Sequence, residues 1–158
     1  MSIDNHSGKI HVWGAVSMTY GKIALVTFRQ NLDSNLLLTI LQEDLLPEAN
    51  YYFPNGWVLQ MDNDSKNTSK LIQNFVLDNI PFHIDWPSRL PDLNHIENVW
   101  KVLKQMVRKR IPQTVDDLED IIHEEWNNLQ DDVVTHICEY FPSRVEKCII
   151  EQGHRLRY

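Results

Sequence analysis

Apolar positions along this chain alternate between a strand-like period of two and a helix-like period near 3.6. Ile10 to Ser17 and Lys22 to Phe28 are rich in β-branched and aromatic residues, and Thr19-Tyr20-Gly21 separates them. That pattern predicts two strands joined as a hairpin. Asp33-Ser34 then offers a helix cap, and Leu37, Ile40, Leu41 and Leu45 follow at helical spacing until Pro47, which is expected to stop the run. Asn55-Gly56 signals a turn before a buried strand, Trp57 to Asp62. Leu71, Ile72, Phe75, Val76 and Ile80 predict a helix capped by Thr68 and ended by Pro81, and Phe82 to Trp86 predicts a short strand.

The best-patterned helix spans about residues 94–110. Ile96, Val99, Trp100, Leu103 and Val107 fall on one face, with Glu97, Lys101, Lys104 and Arg108 as an adjacent stripe. Thr114 with Asp117 opens a further helix whose face is Leu118, Ile121, Ile122, Trp126 and Leu129. A last helix is expected over Val133 to Phe141, then a short helical piece, Arg144 to Glu151, and a basic tail. The order β-β-α-β-α-β-α-α-α makes an α/β layered domain. A three-layer arrangement brings the end of strand 57–62 beside the start of helix 94–110 if both meet one sheet edge.

Composition narrows this picture. At 158 residues, 42% hydrophobic with five Trp, the chain fits a single domain with a sizeable core. No run reaches the roughly eighteen apolar residues of a membrane span. The N-terminus lacks the basic-then-apolar layout of a secretory leader. Cys138 and Cys148 have neither CxxC spacing nor ligand-like neighbours and read as reduced thiols of an intracellular, unsecreted protein. The net charge of −7 argues against binding nucleic acid over the whole surface. Residues 101–110, however, hold five bases and no acid: Lys101, Lys104, Arg108, Lys109 and Arg110. Residues 111–143 hold nine acids and no Lys or Arg, so any basic face is local to the Glu97 helix.

Candidate chemistry centres on two carboxylates. Asp62 ends a predicted strand and Glu97 lies in the first turn of a predicted helix, with 97 − 62 − 1 = 34 residues between them. Such a pair suits a hard cation, since Mg²⁺ takes oxygen ligands, commonly one or two carboxylates with substrate phosphates. Each acid also has a plain structural reading. Asp62-Asn63 is good turn chemistry. Asn94 with Glu97 makes a capping-box pattern, and Glu97 with Lys101 an i,i+4 pair. The basic stripe equally suits a solvated helix face. Asp64, Asp92 and Asp85 read as turn or strand-end residues, and His83 and His95 lack zinc-ligand spacing.

The run Gln60-Met61-Asp62-Asn63-Asp64-Ser65-Lys66-Asn67-Thr68-Ser69 resembles the second signature of the mariner superfamily of DDE transposases. Pro91-Asp92-Leu93-Asn94-His95-Ile96-Glu97-Asn98-Val99-Trp100 resembles the third, at the spacing of the Glu-ending branch. Val12-Trp13-Gly14, Leu45-Leu46-Pro47 and the stretch from Phe141-Pro142-Ser143-Arg144 to Gly153 extend the likeness over nearly the whole chain. The resemblance implies a ribonuclease-H-like mixed sheet flanked by helices. It also implies a two-ion Mg²⁺ (or Mn²⁺) site and the cutting and joining of transposon ends to target DNA. Asp62 and Glu97 stand at its second and third acids, as catalytic residues and metal ligands. Lys101, Lys104, Arg108, Lys109 and Arg110 become DNA-binding candidates beside them. A nuclear protein, a possible homodimer and no membrane association are implied with it.

The departures shape the expectation. The family's first acid lies on a strand upstream of Val12-Trp13-Gly14, where this chain offers only Asp4, in what reads as a linking loop. Asp4 is not taken as that acid, and the family's helix-turn-helix DNA-binding domain has no counterpart here. Ser65, Asn67 and His95 stand where the family commonly has Pro, His and Pro. The expectation is thus an N-terminally truncated catalytic-type domain, without the first acid-bearing strand, whose metal site is impaired and whose activity alone is weak. Two rivals remain: a non-catalytic DNA-binding or interaction module, and a non-functional relic.

Overall fold

The computed structural model describes residues 1–5, 8–62, 64–84 and 95–139. Asn63, Asp85, residues 91–94 of the third signature, Cys148 and the elements expected after residue 139 lie outside the described residues. The rest falls into two compact units. One holds Met1–Asp4, Lys9–Ala15 and the chain from Ile23 through the second short parallel strand; the other holds Val16–Lys22 and the chain from the Glu97 helix onward.

A three-stranded sheet has the order β1-β2-β3, with β1 at Ser2–Asn5, β2 at Gly8–Ser17 and β3 at Gly21–Phe28. The β2–β3 hairpin is as expected, but β1 corrects the expectation of a loop at the N-terminus. Met1 and Val12 exchange both backbone hydrogen bonds, at 2.9 and 3.0 Å, the mark of an antiparallel pair. Ile3 is buried and Asp4 exposed. One such alternation is too short to register as a sequence period, so the ladder rather than the pattern defines this strand.

In the first unit, Asp33 caps α1 (Ser34–Ile40) by accepting the Leu36 N–H at 2.8 Å. The helix does not stop at Pro47. A π turn at Leu41–Leu45 leads into α2 (Leu46–Tyr52), with Pro47 in its first turn. The π turn has already shifted the hydrogen-bond register ahead of the proline, with the Leu46 N–H donating to the Leu41 carbonyl, and the run continues. Leu37, Leu41, Leu45 and Ala49 pack with Ile72, Phe75, Val76 and Ile80 into one buried cluster. Ile72, Phe75 and Val76 come from α3 (Lys70–Asn79), whose cap is Ser69 rather than the expected Thr68. Flanking α3 in sequence are β4 (Val58–Gln60) and β5 (Phe82–Ile84), which pair in parallel with Val58 opposite Phe82. Strand β4 is shorter than the expected Trp57 to Asp62, and the end of the expected Phe82 to Trp86 strand lies outside the described residues.

The second unit is built on α4 (Ile96–Arg110), α5 (Val115–Asn128) and a helix over residues 131–139, here α6. Val99, Trp100, Leu103 and Val107 are buried from α4, and Leu118, Ile121, Ile122 and Trp126 from α5. The Trp100 and Trp126 rings lie 5.9 Å apart. Thr114 caps α5, its hydroxyl accepting the Asp117 N–H at 3.0 Å as its spacing predicts. At the other end of α5, Lys22 Nζ donates to the carbonyls of Trp126 (2.9 Å) and Asn127 (3.2 Å), a cation at the negative helix end. Gly21 (φ +79°) permits this approach, because a Cβ there would stand 2.8 Å from Asp131. Cys138 is a buried free thiol, pushed up to about 11 by burial and by Glu139. No helix of the described residues is long and apolar enough to cross a membrane.

Candidate metal and nucleic-acid site

Asp62 lies two residues beyond β4. The strand places Leu59 and Met61 against the apolar cluster of the first unit, and Asp62 is exposed. The chain then closes a polar loop over residues 64–69 before α3 begins. Asn67 Nδ2 donates to Asp62 Oδ1 at 2.6 Å and to the Asp62 carbonyl at 3.0 Å. The Asp64 N–H donates to the same Oδ1 at 3.3 Å. Asp64 is engaged differently. Its Oδ1 accepts the Lys66 N–H at 3.0 Å, the Lys66 ammonium at 2.6 Å and the Ser65 hydroxyl at 3.5 Å. The Lys66 backbone hydrogen bond, then its side chain, hold the Asp64 carboxyl below the ordinary carboxylate range. Thr68 closes the loop by donating to the carbonyls of Asp64 and Ser65.

Glu97 lies in the first turn of α4 and is exposed. The helix begins one residue later than a capping box at Asn94 requires: His95 is the cap and makes no side-chain capping bond. Lys101 reaches Asn98 Oδ1 at 3.3 Å, one residue on from its expected partner Glu97. Lys104 is half-buried, and Arg108 and Lys109 are exposed on the last turns. Arg110 is held: Nη2 meets Glu124 at 2.7 Å and Nη1 meets Glu125 at 2.5 Å. These pairs join α4 to α5 and take the Arg110 charge out of the basic stripe. Ile111 ends the helix in the left-handed region (φ 53°), an uncommon conformation for a β-branched residue.

Asp62 thus belongs to the first unit, and Glu97 with the basic stripe to the second. Two exposed carboxylates are oxygen donors of the kind a hard cation takes. Asp62 keeps Oδ2 clear of the hydrogen bonds made by the described residues, all of which fall on Oδ1 or the carbonyl. Among the described residues no group of three or more His, Cys, Asp or Glu could hold a metal ion. Neither Asn67 nor Glu125 is among the site residues expected from the sequence. A signal for Glu125 does exist, since it is an acid on the apolar face of α5 one position before Trp126. Asn67 carries no such mark.

The architecture is ribonuclease-H-like. The catalytic domain of Mos1 mariner transposase superposes with a TM-score of 0.81 at 15% identity, over 99% of this chain and 81% of that one. A Mos1 transposase paired-end complex with left transposon end gives 0.80 at 13% identity, over 98% of this chain and 47% of that one. At such identities the likeness is one of fold. The family model described as DDE superfamily endonuclease matches residues 2–119, and the chain belongs to that family. A similar relative is the transposable element Tcb2 transposase of Caenorhabditis briggsae, 29% identical over 161 residues, 99% of this chain and 57% of the relative. The chain therefore spans little more than half the length of that relative. The resemblance of the two signatures is borne out at the level of the family: the chain belongs to the DDE superfamily endonucleases, is similar in sequence to transposases, and shares its fold with the mariner catalytic domain.

Proposed function

We propose that this domain serves metal-dependent cleavage and joining of DNA, with Asp62 and Glu97 as the second and third carboxylates of the family's ion site. The observation that carries the reading is their spacing: two acids 34 residues apart, each inside its own signature, both within the matched span 2–119. Mos1 catalytic domains solved with Mn and with Mg support a divalent ion. When bound, such ions activate the attacking oxygen and stabilise the leaving one. The chain's own part is to hold carboxylate oxygens at fixed points and to offer cations to the DNA backbone. Lys104, Arg108 and Lys109 suit the second role, with Lys101 beside them.

The partner is DNA, transposon ends and target, in a nuclear setting, with a homodimer as the assembly that would bring two ends together. Asp62 and Glu97 account for two of the family's three carboxylates, and an ion site built on two carboxylates holds its ions weakly, so faint cleavage is the expectation for this chain assayed alone. The test is a nicking assay on transposon-end DNA with Mg²⁺ or Mn²⁺, for the parent chain and Asp62→Ala. Faint, ion-dependent nicking that Asp62→Ala removes is expected. Robust nicking overturns the impaired reading. Salt-sensitive DNA binding with no nicking, indifferent to Asp62→Ala, favours a non-catalytic module instead.

A further inference from the structure

We propose that Asn67 is a positioning residue for Asp62, fixing the carboxylate so that Oδ2 is presented to a divalent cation. The inference rests on the reading of Asp62 as a metal ligand and adds a residue to it. Asn67 Nδ2 grips Asp62 at two points, Oδ1 at 2.6 Å and the backbone carbonyl at 3.0 Å. One amide thereby ties the side chain to its own main chain and sets the torsion between them. The Asp64 N–H adds a third contact, again on Oδ1. An exposed aspartate otherwise samples several rotamers, and a ligand that must first be ordered binds more weakly than one already in place.

The loop contains two acids and treats them differently. Asp64 accepts an ammonium at 2.6 Å together with a backbone N–H and a hydroxyl, which makes it an anchor for the turn. A cation on a carboxylate opposes the approach of a second cation. From the described residues Asp62 receives neutral N–H donors, which orient the group and leave its charge in place. Metal-ligating carboxylates are commonly held by such outer hydrogen bonds, and losing one costs about 10- to 100-fold in affinity. Asn67 is thus one of the departures from the mariner signature, and in this chain that departure has a direct contact with the acid.

The experiment titrates Mn²⁺ into the full 158-residue chain. Free Mn²⁺ is followed by electron paramagnetic resonance for the parent, Asp62→Ala, Asn67→Ala and Asn67→His, and each variant is melted alongside. Asn67→Ala should raise the Mn²⁺ Kd about tenfold at an unchanged melting temperature. Asn67→His, which returns a short N–H donor, should recover most of the affinity. Parent-like binding by Asn67→Ala, where Asp62→Ala has lost it, overturns the inference and leaves the metal reading standing. A loss that His does not restore, with a lowered melt, also overturns it, because Asn67 then only holds the loop together. Binding that is the same in the parent and Asp62→Ala shows the ion is elsewhere, and both readings fall.

Discussion

Asp62 and Glu97 carry the same functional group on opposite kinds of support. The loop around Asp62 is held by polar side chains bonding to one another and to the local backbone within residues 62–69. The helix bearing Glu97 is held by a buried apolar face, with Val99 and Leu103 fully inaccessible and Trp100 and Val107 nearly so. Burial fixes a backbone and leaves an exposed side chain free to turn. Local hydrogen bonds fix the side chain itself but contribute little to global stability. The two regions should therefore fail in different ways when cut.

The largest effect belongs to the helix. Leu103→Ala removes a side chain with no exposed surface and should destabilise the protein by about 3 kcal/mol in urea unfolding. Ser65→Ala, in the loop, should shift the same curve by no more than about 0.5 kcal/mol. Tryptophan fluorescence is a suitable probe, since Trp100 and Trp126 lie in the packed face. Comparable losses from the two substitutions would erase the distinction between the regions.

This division also explains what the sequence made legible. The α4 face could be read because burial repeats every three or four residues, and Val99, Trp100, Leu103 and Val107 obey that repeat. The family could be read because residue type, spacing and neighbours around Asp62 and Glu97 form signatures. Strand β1 could not, because one alternating pair is no period. The continuation through Pro47 could not, because it depends on a π turn that shifts the hydrogen-bond register at Leu41–Leu45. Asn67 was visible only as a departure from the family. Its role depends on a side-chain bond to a residue five positions earlier, and no periodicity encodes that.

A second, smaller effect separates neighbours of one charge. Arg110 is clamped by Glu124 and by Glu125, whose side chain is 10% exposed, whereas Arg108 and Lys109 are exposed. Arg110→Ala leaves Glu125 in a nearly dry position without its cation, which is costly because a buried charge then lacks a partner. It should lower the urea midpoint, by less than Leu103→Ala does, and Glu125→Gln in the same chain should restore part of it. DNA affinity should stay near that of the parent. Arg108→Ala and Lys109→Ala should do the reverse: stability holds, and the slope of log affinity against log salt falls by about 1 for each phosphate contact removed. An Arg110→Ala variant that melts normally but loses DNA would reassign that arginine to the interface.

The smallest effect sharpens the loop itself. Asp64 has its carboxyl lowered below its ordinary 3.8, first by the Lys66 N–H and then by the Lys66 side chain. Above about pH 5 the group is ionised whether the chain is folded or not, and its bonds contribute fully. As pH falls below 3.8 the unfolded chain takes up a proton before the folded one does, and the contribution is lost as pH passes through the lowered folded value. Asp64 is exposed, so the difference should stay under about 1 kcal/mol. Urea midpoints measured at pH 6 and pH 3 should therefore fall further for the parent than for Asp64→Asn, which keeps an acceptor for the Lys66 N–H and has no charge to lose. Lys66→Met should flatten the dependence only in part, because the backbone bond to Asp64 remains. Parallel curves for all three chains would mean that the Asp64–Lys66 contact does not hold the loop in solution, and the orientation of Asp62 would then have to come from Asn67 alone.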